Sequence, residues 1–292
     1  GSDEDKKFIK ASALAFRAYS YEKLIHYYCY RWQDSNNGAS QGVILRLDES
    51  TGDAPFATLA ETVAQIYKDC QEAITLFGES GIDRPADQVW IPNVNVAHAV
   101  YARAALFSQD YQTAVNQAKL AKKGYPLMSN DSYAAGFCEP TSEWIMGSYG
   151  DDSENNFYWS YGTQGACNGY YATADGNPTG AGTIGHELIS RIPNNDARKQ
   201  NFLTEDKFPD LDLSKESPYY YTFGILGMMD DNIYEQAASI VKAHQAKGKS
   251  TPYQAGFYYL DANLKFYVLD QPGVGYVPFI RSSEMVLIEA EA

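Results

Sequence analysis

The chain has 292 residues, 45% hydrophobic and 21% charged, a globular balance that excludes wholesale disorder. Asp and Glu total 37 against 23 Lys and Arg, a net charge of −14, so phosphate backbones and anionic lipid are repelled, not gripped. No apolar run approaches the roughly 18 residues of a membrane span, and at about 100–200 residues per domain the length allows one large domain or two ordinary ones.

A first helix is predicted over residues 5–32. Leu14, Ala18, Tyr21, Ile25 and Tyr28 recur at steps of four and three, which places them on one face. The polar run Asp34-Ser35-Asn36-Asn37-Gly38 interrupts the pattern. A second helix is predicted over 58–77. Thr58 and Glu61 have capping-box spacing, and Leu59, Val63, Ile66, Cys70, Ala73 and Phe77 repeat the helical rhythm. A helical hairpin follows, with arms at 93–108 and 111–123 and a turn at Gln109-Asp110. Alanines stud both arms and permit close approach. Lys122, Lys123, Gly124 and Pro126 mark its end. Asp110-Tyr111, Ala114 and Ala118 resemble the second helix of a tetratricopeptide repeat, a unit that cannot bury its apolar face alone.

Residues 1–133 therefore read as a tetratricopeptide-like helical region. Residues 134–277 read as a loop-rich region, richer in Gly, Asn, Pro and Tyr, with short helices at 186–191 and 231–247. Its length favours function over mere connection. Helical pattern returns in 278–292. Gly1-Ser2 reads as an expression remnant, and the chain stops in mid-helix, so both ends are expected to be cuts. The fold class expected is mostly α.

Motifs for chemistry fail on their contexts. Cys29, Cys70, Cys138 and Cys167 form no CxxC pair, and His26, His98, His186 and His244 are scattered, which argues against zinc. Cys29 and Cys70 read as buried thiols. Gly180, Gly182 and Gly185 satisfy GxGxxG but follow a turn, not a buried strand. Gly248-Lys249-Ser250 follows a helix, the wrong order for a phosphate loop. His186-Glu187 lacks a second His. Asp210-x-Asp212-x-Ser214 starts like a calcium loop, but Lys215 and Tyr221 occupy the positions of its Gly and Glu. No metal, cofactor or catalysis is expected. A glycosidase remains the alternative of a different class, since paired carboxylates cannot be read from spacing.

Several segments resemble the SusD/RagB family. At the C-terminal end Pro278-Phe279-Ile280-Arg281 leads to Glu284, Leu287 and Ala290-Glu291-Ala292, the order of the family pattern. Leu14, Arg17-Ala18, Tyr19, Tyr21 and Leu24 resemble one of its helices, and Gly42-Val43-Ile44-Leu45 stands where the family has a Gly-Val-Pro-Leu run, with Ile44 replacing the proline. The segment from Asn93 to Lys123 resembles its repeat hairpin, and Asn195-Asp196-Ala197-Arg198 its Asp-x-Arg helix. The family's lipobox, its first helices and the helices that follow Ala-Glu-Ala are absent.

The resemblance implies tetratricopeptide-type hairpins with a loop-rich second region. It implies an outer-membrane, cell-surface lipoprotein of polysaccharide utilisation, held to the membrane only by an N-terminal lipid outside this chain. Its partners would be an oligosaccharide or polysaccharide and a SusC-like TonB-dependent transporter, and it would not be an enzyme. Capture of peptides is the alternative within the family, and a protein-binding repeat scaffold a third reading.

The residues agree with a sugar ligand. Tyr numbers 24 against 13 Phe and 4 Trp, and Tyr is the ring that tolerates being half wet. Sugar rings have apolar C–H faces and polar rims, so a site pairs aromatic platforms with amides. Asn155, Asn156, Tyr158, Trp159 and Tyr161 have this composition, as do Asn168, Tyr170 and Tyr171. Trp32, just before a polar loop, is a further candidate. Tyr158 and Trp159 also suit the core of the second region, and both readings stand. Trp144 reads as core. Arg281, Glu284 and Glu289 read as charges tying helix to helix.

Overall fold

In the computed structural model, the structure describes residues 1–135, 137, 139–149, 185–211, 225–226, 231–247, 258–265 and 276–292. In chain order the elements are α1 (Asp3–Tyr28), α2 (Leu59–Ser80), α3 (Val94–Phe107), α4 (Tyr111–Ala121), α5 (Asn130–Tyr133), β1 (Trp144–Gly147), α6 (His186–Ser190), β2 (Ile225–Leu226), α7 (Asp231–Gln245), β3 (Tyr258–Tyr259), β4 (Pro278–Arg281) and α8 (Ser282–Glu291). The protein is mostly helical, as the periodicity predicts. Two compact units arise: Gly1–Leu127 with Ser142–Gly147 and Pro278–Ala292, and Met128–Thr141 with Ser148–Val277.

Local chemistry starts the helices of the first unit. Ser2 and Asp5 form a reciprocal capping box at α1, and Thr58 and Glu61 do the same at α2. Asn93 and Asp110 cap α3 and α4 through their side-chain oxygens. α1 and α2 pack together through Ala11, Leu14, Ala15, Ala73 and Phe77. Within the α3–α4 hairpin, Ala97, Ala99, Ala102, Ala104, Ala105, Ala114, Ala118 and Ala121 are all fully buried. Small side chains at the contact let the two axes approach. The Asn95 amide donates to the carbonyls of Ala121 and Lys123, each at 2.9 Å, and so satisfies the open end of α4. α8 packs on this hairpin, with Met285 and Ile288 in the same core as Ile66 and Val100.

Three details differ from the expectation. α1 ends at Tyr28, because Cys29 turns to extended backbone, and a separate 3-10 turn spans Trp32–Asp34. Tyr28, assigned by period to the buried face, is therefore 79% exposed. A strand pair also joins β1 to β4, antiparallel and irregular, with Trp144 opposite Arg281. It groups residues 142–147 with the helical unit instead of the loop-rich region.

Gly42 lies close against the start of α2. A Cβ there would stand 2.5 Å from the carbonyl oxygen of Thr58 and would also strike the Thr62 hydroxyl. Gly42 N donates to Ala57 O at 2.8 Å, which holds the segment against the start of α2. Gly42→Ala is expected to cost about 1–3 kcal/mol, the range for overpacking a close-packed site. An unchanged thermal midpoint would mean that the α2 start yields to the extra methyl.

In the second unit, α7 buries Ile233, Ala237, Val241 and His244 on one face and touches the paired strands β2 and β3. The segment resembling an Asp-x-Arg helix is a single 3-10 turn, Ala197–Asn201. Asp196 accepts from the Arg198 backbone and also pairs with the Arg198 guanidinium, nearest approach 2.6 Å. This tight local fork closes a turn in place of a longer helix.

His244 couples this unit to pH. Its Nε2 lies 3.1 Å from Asn201 Oδ1. Burial, then the Lys247 and Lys207 charges, push the ring down to about 4. An unfolded His titrates near 6.5. Between those values the unfolded chain binds the extra proton, so stability is lost as pH falls from about 6.5 to about 4. The loss is on the order of 3 kcal/mol. Urea unfolding at pH 7 and pH 4 checks this, and His244→Gln should remove that share of the slope. A slope that survives the substitution belongs to other groups.

Candidate functional site

Asn155, Asn156, Tyr158, Trp159, Tyr161, Asn168, Tyr170 and Tyr171 lie outside the described residues, as do Gly180 and Gly182. The residues flanking the long segment are well tied. Ser148 N donates to Val277 O at 2.8 Å, and Val277 N donates to Ser148 Oγ at 2.8 Å. The Tyr149 and Tyr276 rings meet edge to face, with centroids 6.3 Å apart.

Trp32 is described, and it is half-buried against the core of the first unit. Its position is set by a tight turn. Ser35 Oγ donates to Trp32 O at 2.6 Å and accepts from Gly38 N at 2.8 Å. Asn36, Asn37 and Gly38 all take positive φ, at 52°, 54° and 80°, a run that Asn and Gly tolerate best. A Cβ on Gly38 would stand 2.7 Å from the Trp32 ring and 2.7 Å from Ala60. Glycine therefore lets the indole approach the turn.

Next to Trp32 in sequence stand Tyr27, Tyr28 and Tyr30, exposed by 76%, 79% and 68%. Tyr27 and Tyr28 touch at 6.4 Å, edge to face. Asp34, Asn36 and Asn37, in the turn that follows, are exposed as well. Sequence reasoning missed these tyrosines by folding them into a longer α1. The signal was the polar run after Trp32, which announces a helix end upstream.

The remaining motif residues are structural. Glu284 accepts twice from Arg103, both at 2.6 Å. Arg281 pairs with Glu143 at 3.1 Å, and Glu289 with Lys122 at 2.5 Å. Trp144 is buried, as expected. Asp210 accepts from Asn232 and Gln236 near the start of α7. Among the described residues, Cys29 and Cys70 are free thiols, and burial pushes the Cys70 thiol well up. Among the same residues, no group of three or more His, Cys, Asp or Glu is placed to hold a metal. No described helix is long and apolar enough to cross a membrane.

No family model and no curated protein sequence matches the chain. Solved structures do. A SusD-like carbohydrate-binding protein from Bacteroides vulgatus superposes with a TM-score of 0.69 at 20% identity, over 100% of this chain and 52% of that one. A SusD superfamily protein from the same species gives 0.67 at 17%, over 100% and 55%. Another from Bacteroides thetaiotaomicron gives 0.56 at 21%, over 100% and 55%. The chain thus spans about half the length of these structures. With its helical hairpin and its returning α8, the chain has the fold seen in these SusD-like structures.

Proposed function

We propose that the chain is the glycan-binding part of a surface protein that captures oligosaccharides and delivers them to a SusC-like TonB-dependent transporter. The observation that carries this reading is the likeness, along the whole chain, to a structure described as a SusD-like carbohydrate-binding protein. The exposed tyrosines at the end of α1 support it. On this reading the protein is a binder without catalysis, and it reaches the outer membrane through an N-terminal lipid on the longer polypeptide. Asn155, Asn156, Tyr158, Trp159, Tyr161, Asn168, Tyr170 and Tyr171 form the main ligand surface, and Trp32 adds a platform.

Electrophoresis through gels containing a panel of polysaccharides tests the reading. Retardation by at least one glycan is expected, without release of reducing sugar. Single sites of this kind bind with dissociation constants near 1 mM, about −4 kcal/mol, so removing one platform should abolish retardation. Trp159→Ala is expected to do so while leaving the melting temperature almost unchanged. If the substitution instead costs about 3–5 kcal/mol of stability and spares retardation, Trp159 belongs to the core.

A further inference from the structure

The turn after Trp32 contains the pair Asn37-Gly38. Asn is a thermolabile residue, and most so before Gly, which leaves its backbone nitrogen unhindered. Asn37 is exposed, so water and base reach its side chain. The reaction needs no enzyme. Gly38 N attacks Asn37 Cγ and a new N–C bond forms. The bond from Cγ to the side-chain nitrogen breaks, and ammonia leaves with the backbone proton. Water then opens the cyclic imide to aspartate or isoaspartate. Both products add a negative charge, and isoaspartate lengthens the backbone by one methylene.

The fold holds the atoms that must move. Gly38 is buried, its N–H donates to Ser35 Oγ at 2.8 Å, and its carbonyl accepts from Ala60 N at 2.9 Å. Ser35 is 1% exposed, and its hydroxyl donates to Trp32 O at 2.6 Å. A hydroxyl has one proton to give, so the oxygen meets Gly38 only as an acceptor. Ser40 N donates to Ser35 O at 3.0 Å and Leu59 N to Ser40 O at 2.8 Å, which fastens the turn to the start of α2. Closing the imide ring requires Gly38 N to lose its proton and swing toward Asn37 Cγ. Either change breaks the bond to Ser35.

We propose that Ser35 guards the Asn37-Gly38 peptide against deamidation. The attack is confined to the moments when the turn opens, so its rate falls with the open fraction. What the guard preserves is the seat of Trp32. A Cβ on Gly38 would already stand 2.7 Å from the indole and 2.7 Å from Ala60, so a turn lengthened by a methylene could not close on the ring.

The chain is aged in mildly alkaline buffer, folded and in concentrated guanidinium chloride, and peptide mapping by mass spectrometry follows conversion at Asn37. Asn168, also followed by Gly, serves as the clock in the denatured sample, where the two should react alike. In the folded chain Asn37 is expected to react at least about tenfold more slowly than when denatured, as for a turn open less than about a tenth of the time. Ser35→Ala should restore most of the denatured rate while circular dichroism stays helical. Arg17→Ala, which loosens the α1–α2 contact elsewhere, should age like the parent chain, because the guard is local. Hydrogen exchange of the Gly38 N–H in the parent chain needs the same opening, so it should be slowed to a like degree. That measurement decides the matter where Ser35→Ala fails to fold. The proposal is overturned if Asn37 reacts equally fast folded and denatured, or if folded Ser35→Ala ages like the parent chain. It is also overturned if Arg17→Ala ages as fast as Ser35→Ala, or if the Gly38 N–H exchanges freely.

Discussion

Replacing Arg103 with alanine is expected to lower the unfolding free energy by about 3–5 kcal/mol, the cost of stranding the partners of a buried charge. The Arg103 side chain is 9% exposed. It donates to both carboxylate oxygens of Glu284 and, at 2.8 Å, to Phe279 O. Its Nη1 lies 3.9 Å from Glu22 Oε2. One guanidinium therefore links α1, α3, β4 and α8. Glu22 is itself 1% exposed. Burial raises its carboxyl, but the His26 hydrogen bond and the Arg103 charge overcome that and hold it below its usual range. Among the described residues, Glu22 without Arg103 keeps His26 and Lys23 as cationic neighbours. Urea unfolding of Arg103→Ala measures the loss. The double variant with Glu284→Gln should cost less than the two singles added, because both remove one interaction. A cost under about 1 kcal/mol would show that water enters and replaces the pair.

Arg17→Ala should cost about 3 kcal/mol, the lower end of the same range. Here the stranded partner is Asp69, fully buried in the middle of α2. Arg17 donates to both of its oxygens at 2.7 Å, and Gln65 adds a third hydrogen bond at 2.6 Å. The lower figure follows from geometry. The Arg17 side chain is 31% exposed, so water can approach the vacated position. Arg17→Lys should recover only part of the loss, since a point ammonium cannot span both oxygens. Full recovery would mean that charge alone, and not the fork, stabilises the α1–α2 contact.

These two arginines show how far sequence carries. Arg17 and Glu284 stand out as motif residues, and Glu284 reads as a tie between helices. Their partners are invisible at that level. Asp69 is 52 positions from Arg17, and Glu284 is 181 from Arg103. Such pairs depend on which helix faces pack, and no local rule contains that.

What the sequence by itself determined is the part of the fold governed by neighbours within a few residues. Capping boxes at Thr58 and Glu61, caps at Asn93 and Asp110, and the positive φ of Gly124 mark helix boundaries closely, because each satisfies backbone groups three or four positions away. Trp144 as core was legible from the resemblance, which has an apolar position after Ser142-Glu143. Tertiary structure alone decided the rest. β1 is four residues long, too short for a periodic signal, and exists only because β4 arrives beside it. Trp32 is half-buried because it packs against the core of the first unit, with Gly38 at its ring. His186 was set aside for want of a second histidine, yet its partner Asp261 stands 75 positions on. Burial and pairing over such distances are properties of the packed chain, since burial raises the cost of an unmatched charge and only packing supplies its match.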